Sequence, residues 1–447
     1  MIFIAIKIYI YAPYDNYASH PQDRSDPILL YSSDEKTEYN VIPGTLRKEI
    51  NKPESFEFDI YPTIYNEVGR VEYADVLPLE VGSDYISIED TNYSNDDNNG
   101  ILFYGRIIGI DYSIQGKRHV ICEGLLANLT DFPMYMPSSE NPNGKSVDEF
   151  DRADGMHNVH TRDTGYIFEY AMRAYNEGTE RTDIHEGTVS SNNVYTKETA
   201  DDDGDNWFSF TYPWSQSVGD FIMSQLINVY GGMLKMRYIK QTAYKRILGE
   251  LDWTDEPVND KVKKKNRPQT IKYGDNALDA TYEDISSDMV SGIFGTGINK
   301  YKGKHWNYDR YNGHYRPYVI YGTNWNNTLG GANIVKAVEF ENARTESQLK
   351  SQVRRYVKLY CSNRKFKVTV KCIDKHFINI NNSNDTNYDM IDIGYSYKVE
   401  IPFLGAAINE DLTCLSCEID IGDMKNSSYT FGDYIPPELM KSRYITG

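Results

Sequence analysis

Residues 103–124 read FYGRIIGIDYSIQGKRHVICEG, two apolar runs around a short polar break. Ile110, Tyr112 and Ile114 take one side, Gln115-Gly116 supply the turn, and Val120 and Cys122 lead back. Side chains alternate across a strand, so each arm presents one apolar face. A two-stranded ribbon is marginal alone in water, and this one requires more strands beside it. The flanking sequence provides them. In SFEFDI, Phe56, Phe58 and Ile60 alternate with Glu57 and Asp59; Leu77, Leu79 and Val81 share one face of VLPLEVG; and ISIE at 86–89 repeats the pattern. Pro78 favours an edge position for the VLPLEVG strand. The opening MIFIAIKIYIYAP reads as a strand ending at Pro13, because Lys7 interrupts the apolar run and no small-residue cleavage site follows. TNYSNDDNNG at 91–100 reads as a wet loop. Short strands at this spacing predict a small barrel or sandwich over residues 1–130.

Beyond residue 130 the periodicity changes. Residues 134–163 are rich in Pro, Asn and Asp and read as irregular. Ile167, Tyr170, Ala171, Ala174 and Tyr175 then recur at helical spacing. Ser217 with Asp220 resembles a capping box, Val218, Phe221, Ile222, Leu226 and Val229 form one stripe, and Gly231-Gly232 ends the helix. MLKMRY follows as a strand. A basic loop and a polar strand occupy 261–284, and 291–335 reads as extended loops around short strands. Thr345 and Gln348 cap a predicted third helix with Leu349, Val353, Tyr356, Val357 and Tyr360 as its stripe. FKVTVKCID, IDIGYSYKVEIP, TCLSCEIDIGD and SSYTFGDY then restore the strand pattern.

The expected fold is mainly β with an α+β middle. Two small β-barrel domains, 1–130 and 343–447 (the latter with its helix), bracket a mixed α/β domain at 131–240 and a loop-rich β domain at 241–342. The outer regions share a plan of a paired ribbon with acidic or glycine-bearing exits, FYGRIIGIDYS with HVICEG and YSYKVEIPF with LSCEIDIGD.

Composition narrows the functions open to such a chain. Its 38 Tyr, 16 Phe and 5 Trp supply ample ring surface for burial. With 65 acidic against 47 basic residues the net charge is −18, which argues against gripping nucleic acid by its phosphates or adsorbing to anionic membranes. No run approaches the roughly 20 apolar residues of a membrane-spanning helix, so no membrane anchor is expected and the chain is read as made in a cytoplasm. Five cysteines, at 122, 361, 372, 414 and 417, are few and odd in number and read as free buried thiols.

No catalytic, cofactor-binding or metal-ligating residue is assigned. Cys414-Leu-Ser-Cys417 has the spacing of a zinc knuckle but lacks a second pair and sits in a strand pattern. His157 and His160, with Asp154 and Asp163 nearby, read as a solvated loop. Asp201, Asp203 and Asp205 begin like a calcium loop, yet Asn206 stands where glycine belongs and Tyr212 where the bidentate glutamate belongs. Lys261, Lys263, Lys264 and Lys265 read as a solvated or interface patch. There is no G-x-S-x-G, H-E-x-x-H or P-loop. The aromatic-rich segment 301–325, with Trp306 and Trp325, is an interaction candidate, because rings among polar residues suit protein interfaces and sugars.

In their order, these pieces resemble phage tail-associated hub proteins. The resemblance rests on Asn51, Pro53, Ser55, Phe56 and Phe58, then Phe103, Gly105, Arg106 and Ile107, then Cys122, Glu123 and Gly124. It continues through QLINVYGGMLKMRY, QTIKYGDNALD, TESQLKSQVRRYV and the closing VTVKCID and IDIGYSYKVEIP. It departs at Tyr104, where the family often has an acidic residue. The resemblance implies a homotrimeric virion protein at the tail tip whose two barrels per subunit form a pseudo-sixfold ring. The implied partners are a hexameric distal tail ring protein, the tape-measure protein, receptor-binding proteins at the tip, and genomic DNA in transit without sequence-specific binding. The implied role is assembly and gating without bond chemistry. Two alternatives stay open: a tail-borne hydrolase of peptidoglycan or surface polysaccharide, and a carbohydrate-binding adhesin.

Overall fold

Period-two alternation in the two end regions, joined by Thr270–Lys272 and Ala277–Asp284 from between them, becomes a single 13-stranded sheet. The computed structural model describes residues 2–3, 6–11, 26–61, 63–65, 71–73, 77, 79–91, 100–134, 148–151, 156–161, 163–179, 183–191, 208–213, 215–254, 269–285, 292–299, 304–305, 318–321, 335–340, 353, 366–379, 388–403 and 406–433.

Five strands form a first unit: β1 (Asn40–Glu49), β2 (Ser55–Tyr61), β3 (Tyr85–Asp90), β4 (Ile101–Tyr112) and β5 (Arg118–Gly124). Five more form a second: β6 (Ala277–Asp284), β7 (Phe366–Cys372), β8 (Ser396–Phe403), β9 (Ala406–Asp420) and β10 (Ser428–Gly432). In space the first unit runs β1-β2-β5-β4-β3, every neighbour antiparallel. The second runs β6-β7-β10-β9-β8, again antiparallel throughout. The two orders are identical when five is added to each label. Even the irregularities correspond. β4 skips Ile108 against β5, and β9 skips Leu415 against β10.

The units differ at their margins. Ile6–Tyr11 adds antiparallel to β3 and carries Ile28–Ser32 on its far side, whereas Thr270–Lys272 adds parallel to β8. They meet where Ser416–Asp420 of β9 ladders onto Thr45–Glu49 of β1. One continuous core underlies both units, gathering Phe56, Phe58, Ile86, Ile88, Phe103 and Val120 from the first and Val368, Val370, Val399, Ile401, Cys414 and Phe431 from the second. Each such side chain contributes ~1.5–3 kcal/mol by leaving water.

A second core covers the other face of β3 and β4. Tyr85, Ile101 and Tyr104 pack with Tyr11 against Ile167, Phe168, Ala171 and Tyr175 of the helix Thr164–Thr179. β3 is therefore buried on both faces. The same core takes in Met233–Gln241 and Arg246–Thr254, an antiparallel pair to which Ile184–Val189 adds in parallel. Ser217 caps the predicted second helix as expected, its Oγ accepting from Asp220 N at 3.0 Å.

Two expectations are corrected. Leu79–Gly82 is a coil leading into a turn and not a strand: Glu80 N donates to Asp84 Oδ2 at 2.7 Å, Gly82 takes φ +85°, and Val81 is exposed. Residues 134–163 are not irregular throughout, because Asp148–Asp151 and Met156–Thr161 pair with each other and with Phe208–Pro213. Their polar sequences hide the alternation. The predicted helix at 345–360 lies outside the described residues apart from Val353, which is buried.

Candidate functional site

In β1 the inward-facing phase runs Val41, Pro43, Leu46 and then Lys48. A lysine in an apolar phase needs partners, because an unpaired buried ammonium is costly. Lys48 finds Glu54 at 3.5 Å, just before β2, and Asp392 at 3.6 Å, just before β8. Burial works against its charge, but Asp392 and Glu54 outweigh it and hold the ammonium above its ordinary range. Burial pushes Glu54 up, opposed by Lys48 and by Tyr238, whose hydroxyl donates to Glu54 Oε2 at 2.6 Å. Lys235 donates to the Tyr395 hydroxyl close by. This seam ties the first unit, the second unit and the middle strands together through side chains.

Asn51, just beyond β1, adds a second tie. It adopts φ +59°, accepts from Leu234 N at 2.8 Å and donates to Gly232 O at 3.3 Å. Asparagine tolerates this left-handed backbone better than most residues. A third tie lies at the far end of β3. His376 Nδ1 donates to Tyr388 O at 2.9 Å and Nε2 donates to Asp90 Oδ2 at 2.8 Å. A carbonyl and a carboxylate both accept, so both ring nitrogens carry protons and the ring is an imidazolium. Burial opposes that charge, but the Asp90 hydrogen bond, with Asp374 near, raises the group above its usual range. Asp374 also accepts from His376 N and Ile391 N and receives the Gln269 amide.

The opening hairpin ends differently. Ser113 N donates to Lys117 O at 2.8 Å, and Gly116 takes φ +81° to close the turn. Towards this tip Ile108 is 44%, Tyr112 69% and Ile114 108% exposed. Apolar side chains grouped on one strand end mark an interaction surface more often than a lone exposed residue does.

Cys414 and Cys417 lie buried on β9 with sulfurs 3.5 Å apart. Burial raises Cys417 well above the ordinary thiol range. Burial raises Cys122 and Cys372 in the same way. Among the described residues no three His, Cys, Asp or Glu side chains are grouped to hold a metal, and no helix is long and apolar enough to cross a membrane. His157 and His160 stand on a strand and not in the expected loop, and Asp163 accepts from Tyr166 N at 2.7 Å at the start of a helix. Asp154, the Asp201–Asp205 run, Lys261–Lys265, Trp306 and Trp325 lie outside the described residues.

A scan of protein-family models finds no match, and neither does a search of curated proteins. Solved structures do match. Over 99% of this chain and 100% of the other, the fold superposes on prophage tail protein gp18 from Listeria monocytogenes EGD-e, with a TM-score of 0.52 and 10% identity. Over 97% and 99%, it superposes on the 43 kDa tail protein of prophage MuSo2 from Shewanella oneidensis, with a TM-score of 0.52 and 12% identity. From end to end, the fold of this chain is that of these phage tail proteins.

Proposed function

We propose that this chain is a structural protein of a phage tail or tail-like particle: a homotrimeric hub that closes the distal end of the tail tube. In this role it joins a hexameric distal ring to the tip and lets tape-measure protein and DNA pass, without bond chemistry. The observation that carries the reading is the repeated five-strand order, which gives each chain two equivalent faces. Three such chains offer six faces to a sixfold partner. The fold shared with the two tail proteins supports a place in the tail. The domain division at about 130, 240 and 342 belongs to the same proposal, save that Thr270–Lys272 and Ala277–Asp284 pair into the second five-strand unit. Sedimentation equilibrium tests it. The expected mass is three times 51.5 kDa, and a chain that stays monomeric at the highest soluble concentration overturns the hub.

A further inference from the structure

Each five-strand unit has the same two lateral edges, and among the described residues only one edge of each is laddered within the chain. In the second unit, β9 pairs with β8 through Ala406–Thr413, and Ser416–Asp420 ladders onto β1. In the first unit, β4 pairs with β3 through Ile101–Arg106. Beyond that point, among the described residues, Gly109–Tyr112 is laddered with β5 alone. Conversely, β1 is held on both sides, by β2 and β9, whereas its counterpart β6 ends the sheet and ladders with β7 alone among the described residues. Among the described residues the β4 end and the β6 edge thus carry no second ladder, and the counterparts of these two edges pair with each other in the same molecule.

The shared bulge aligns the two units residue by residue. Ile108 matches Leu415, and so Gly109, Ile110, Asp111 and Tyr112 match Ser416, Cys417, Glu418 and Ile419. Carried across the neighbouring strands, the alignment matches Tyr282 and Glu283 to Leu46 and Arg47. Exposure then separates the two settings. Leu415 is 6% and Ile419 0% exposed, because Leu415 packs on Ile50 beyond β1 and Ile419 lies across from Leu46. Ile108 and Tyr112 are apolar at the same two places and stand in the open. At this edge, among the described residues, the second unit has a neighbouring unit and the first does not.

Resting on the hub reading, we infer that Gly109–Tyr112 of one copy ladders antiparallel onto the β6 edge of a second copy, repeating between chains the seam that joins the units within one. Tyr112 then stands across from Tyr282, and Asp111 across from Glu283. The contact is head-to-tail, the kind that closes into a ring when the rotation allows it. It covers the exposed Ile108 and Tyr112, the unladdered end of β4 and the β6 edge, and such edges otherwise invite strand addition. The facing carboxylates are each flanked by a basic residue of their own unit, His119 across from Asp111 and Lys367 across from Glu283.

The test mixes full-length Asp111→Cys chains with full-length Glu283→Cys chains under mild oxidation. Facing Cα atoms of an antiparallel pair lie about 4.5–5.5 Å apart, within disulfide reach. The expected product is a covalent dimer containing one of each chain, absent when either variant is oxidised alone. Arg47→Cys/Glu418→Cys in one chain gives the matching intrachain link as a positive control. In parallel, Ile108→Lys and Tyr112→Lys are followed by sedimentation and melting. They are expected to raise the concentration for half-dissociation at least about tenfold, because edge charge opposes strand pairing, and to leave the melting of the separated subunit unchanged. A wild-type trimer with no mixed cross-link, undisturbed by either lysine, overturns the edge assignment and leaves the hub standing. A wild-type monomer overturns the hub itself.

Discussion

At His376 one side chain binds the end of β3 to the second unit, and its charge state decides whether the bond holds. Its native pKa is raised, so the stabilisation is fully present below the unfolded value of about 6.5 and is lost as pH climbs through the higher native value. The expected outcome is a melting temperature that falls as pH rises above neutrality, with the fall abolished in His376→Ala. That variant should itself lose about 3–5 kcal/mol, because it breaks a buried ion pair by removing one member. A wild-type pH profile parallel to that of the variant refutes the assignment. Asn51 makes a different demand, a left-handed backbone together with two side-chain hydrogen bonds. Asn51→Gly keeps the backbone and loses the bonds, whereas Asn51→Ala loses both. Denaturant midpoints should place Ala below Gly, with Ala costing about 2–4 kcal/mol in all.

At the scale of elements, glycine in the F-x-G-R ribbon is explained by the strand beside it. A Cβ on Gly105 would stand 2.2 Å from the carbonyl oxygen of Glu123 on β5, and backbone cannot move aside cheaply. Gly105→Ala is expected to cost about 1–3 kcal/mol, read as a shift in denaturant midpoint at constant slope. Ser217→Ala should cost about 1 kcal/mol by removing the cap. Much of this level was legible in the sequence, because β2, β7 and the helix Thr164–Thr179 follow pure periods of two and 3.6. The Ser217 helix was legible at its ends and not in its middle. Its buried pairs step from Phe221-Ile222 to Leu226-Ile227, five residues apart, because Ile222–Ile227 is π-helical. A 3.6 template cannot anticipate that step. VLPLEVG misled for the opposite reason: its alternation is real, but Asp84 and Gly82 bend the chain into a turn. The polar strands at 148–161 carry too few apolar residues for any period to register. The seam was invisible as a set, since Lys48 and Asp392 meet only in the folded chain. Lys48 in the inward phase of β1 was the one available sign.

For the molecule as a whole, the repeat and the charge belong to one argument. The five-strand order shows that two regions with no strong sequence similarity became the same construction, which single-sequence reading reached only as a shared plan of ribbons. Six copies of that construction in a trimer would surround an axis, and the net charge would be three times −18, or −54. On the conduit reading, DNA would have to slide through, and a surface that exchanges counterions with phosphates would hold it. A predominantly acidic lumen repels DNA instead, and at about 0.15 M salt the repulsion is felt only within about 8 Å, which is the range that matters in a channel. The assembled protein is therefore expected to leave random-sequence duplex DNA unbound in fluorescence anisotropy at physiological salt. Weak retention should appear only when lysines replace acidic residues on the lumen face. Tight binding by the unmodified assembly, loosened steeply by added salt, would show that the axis grips DNA and would remove the conduit from the proposal while leaving the ring of strands intact.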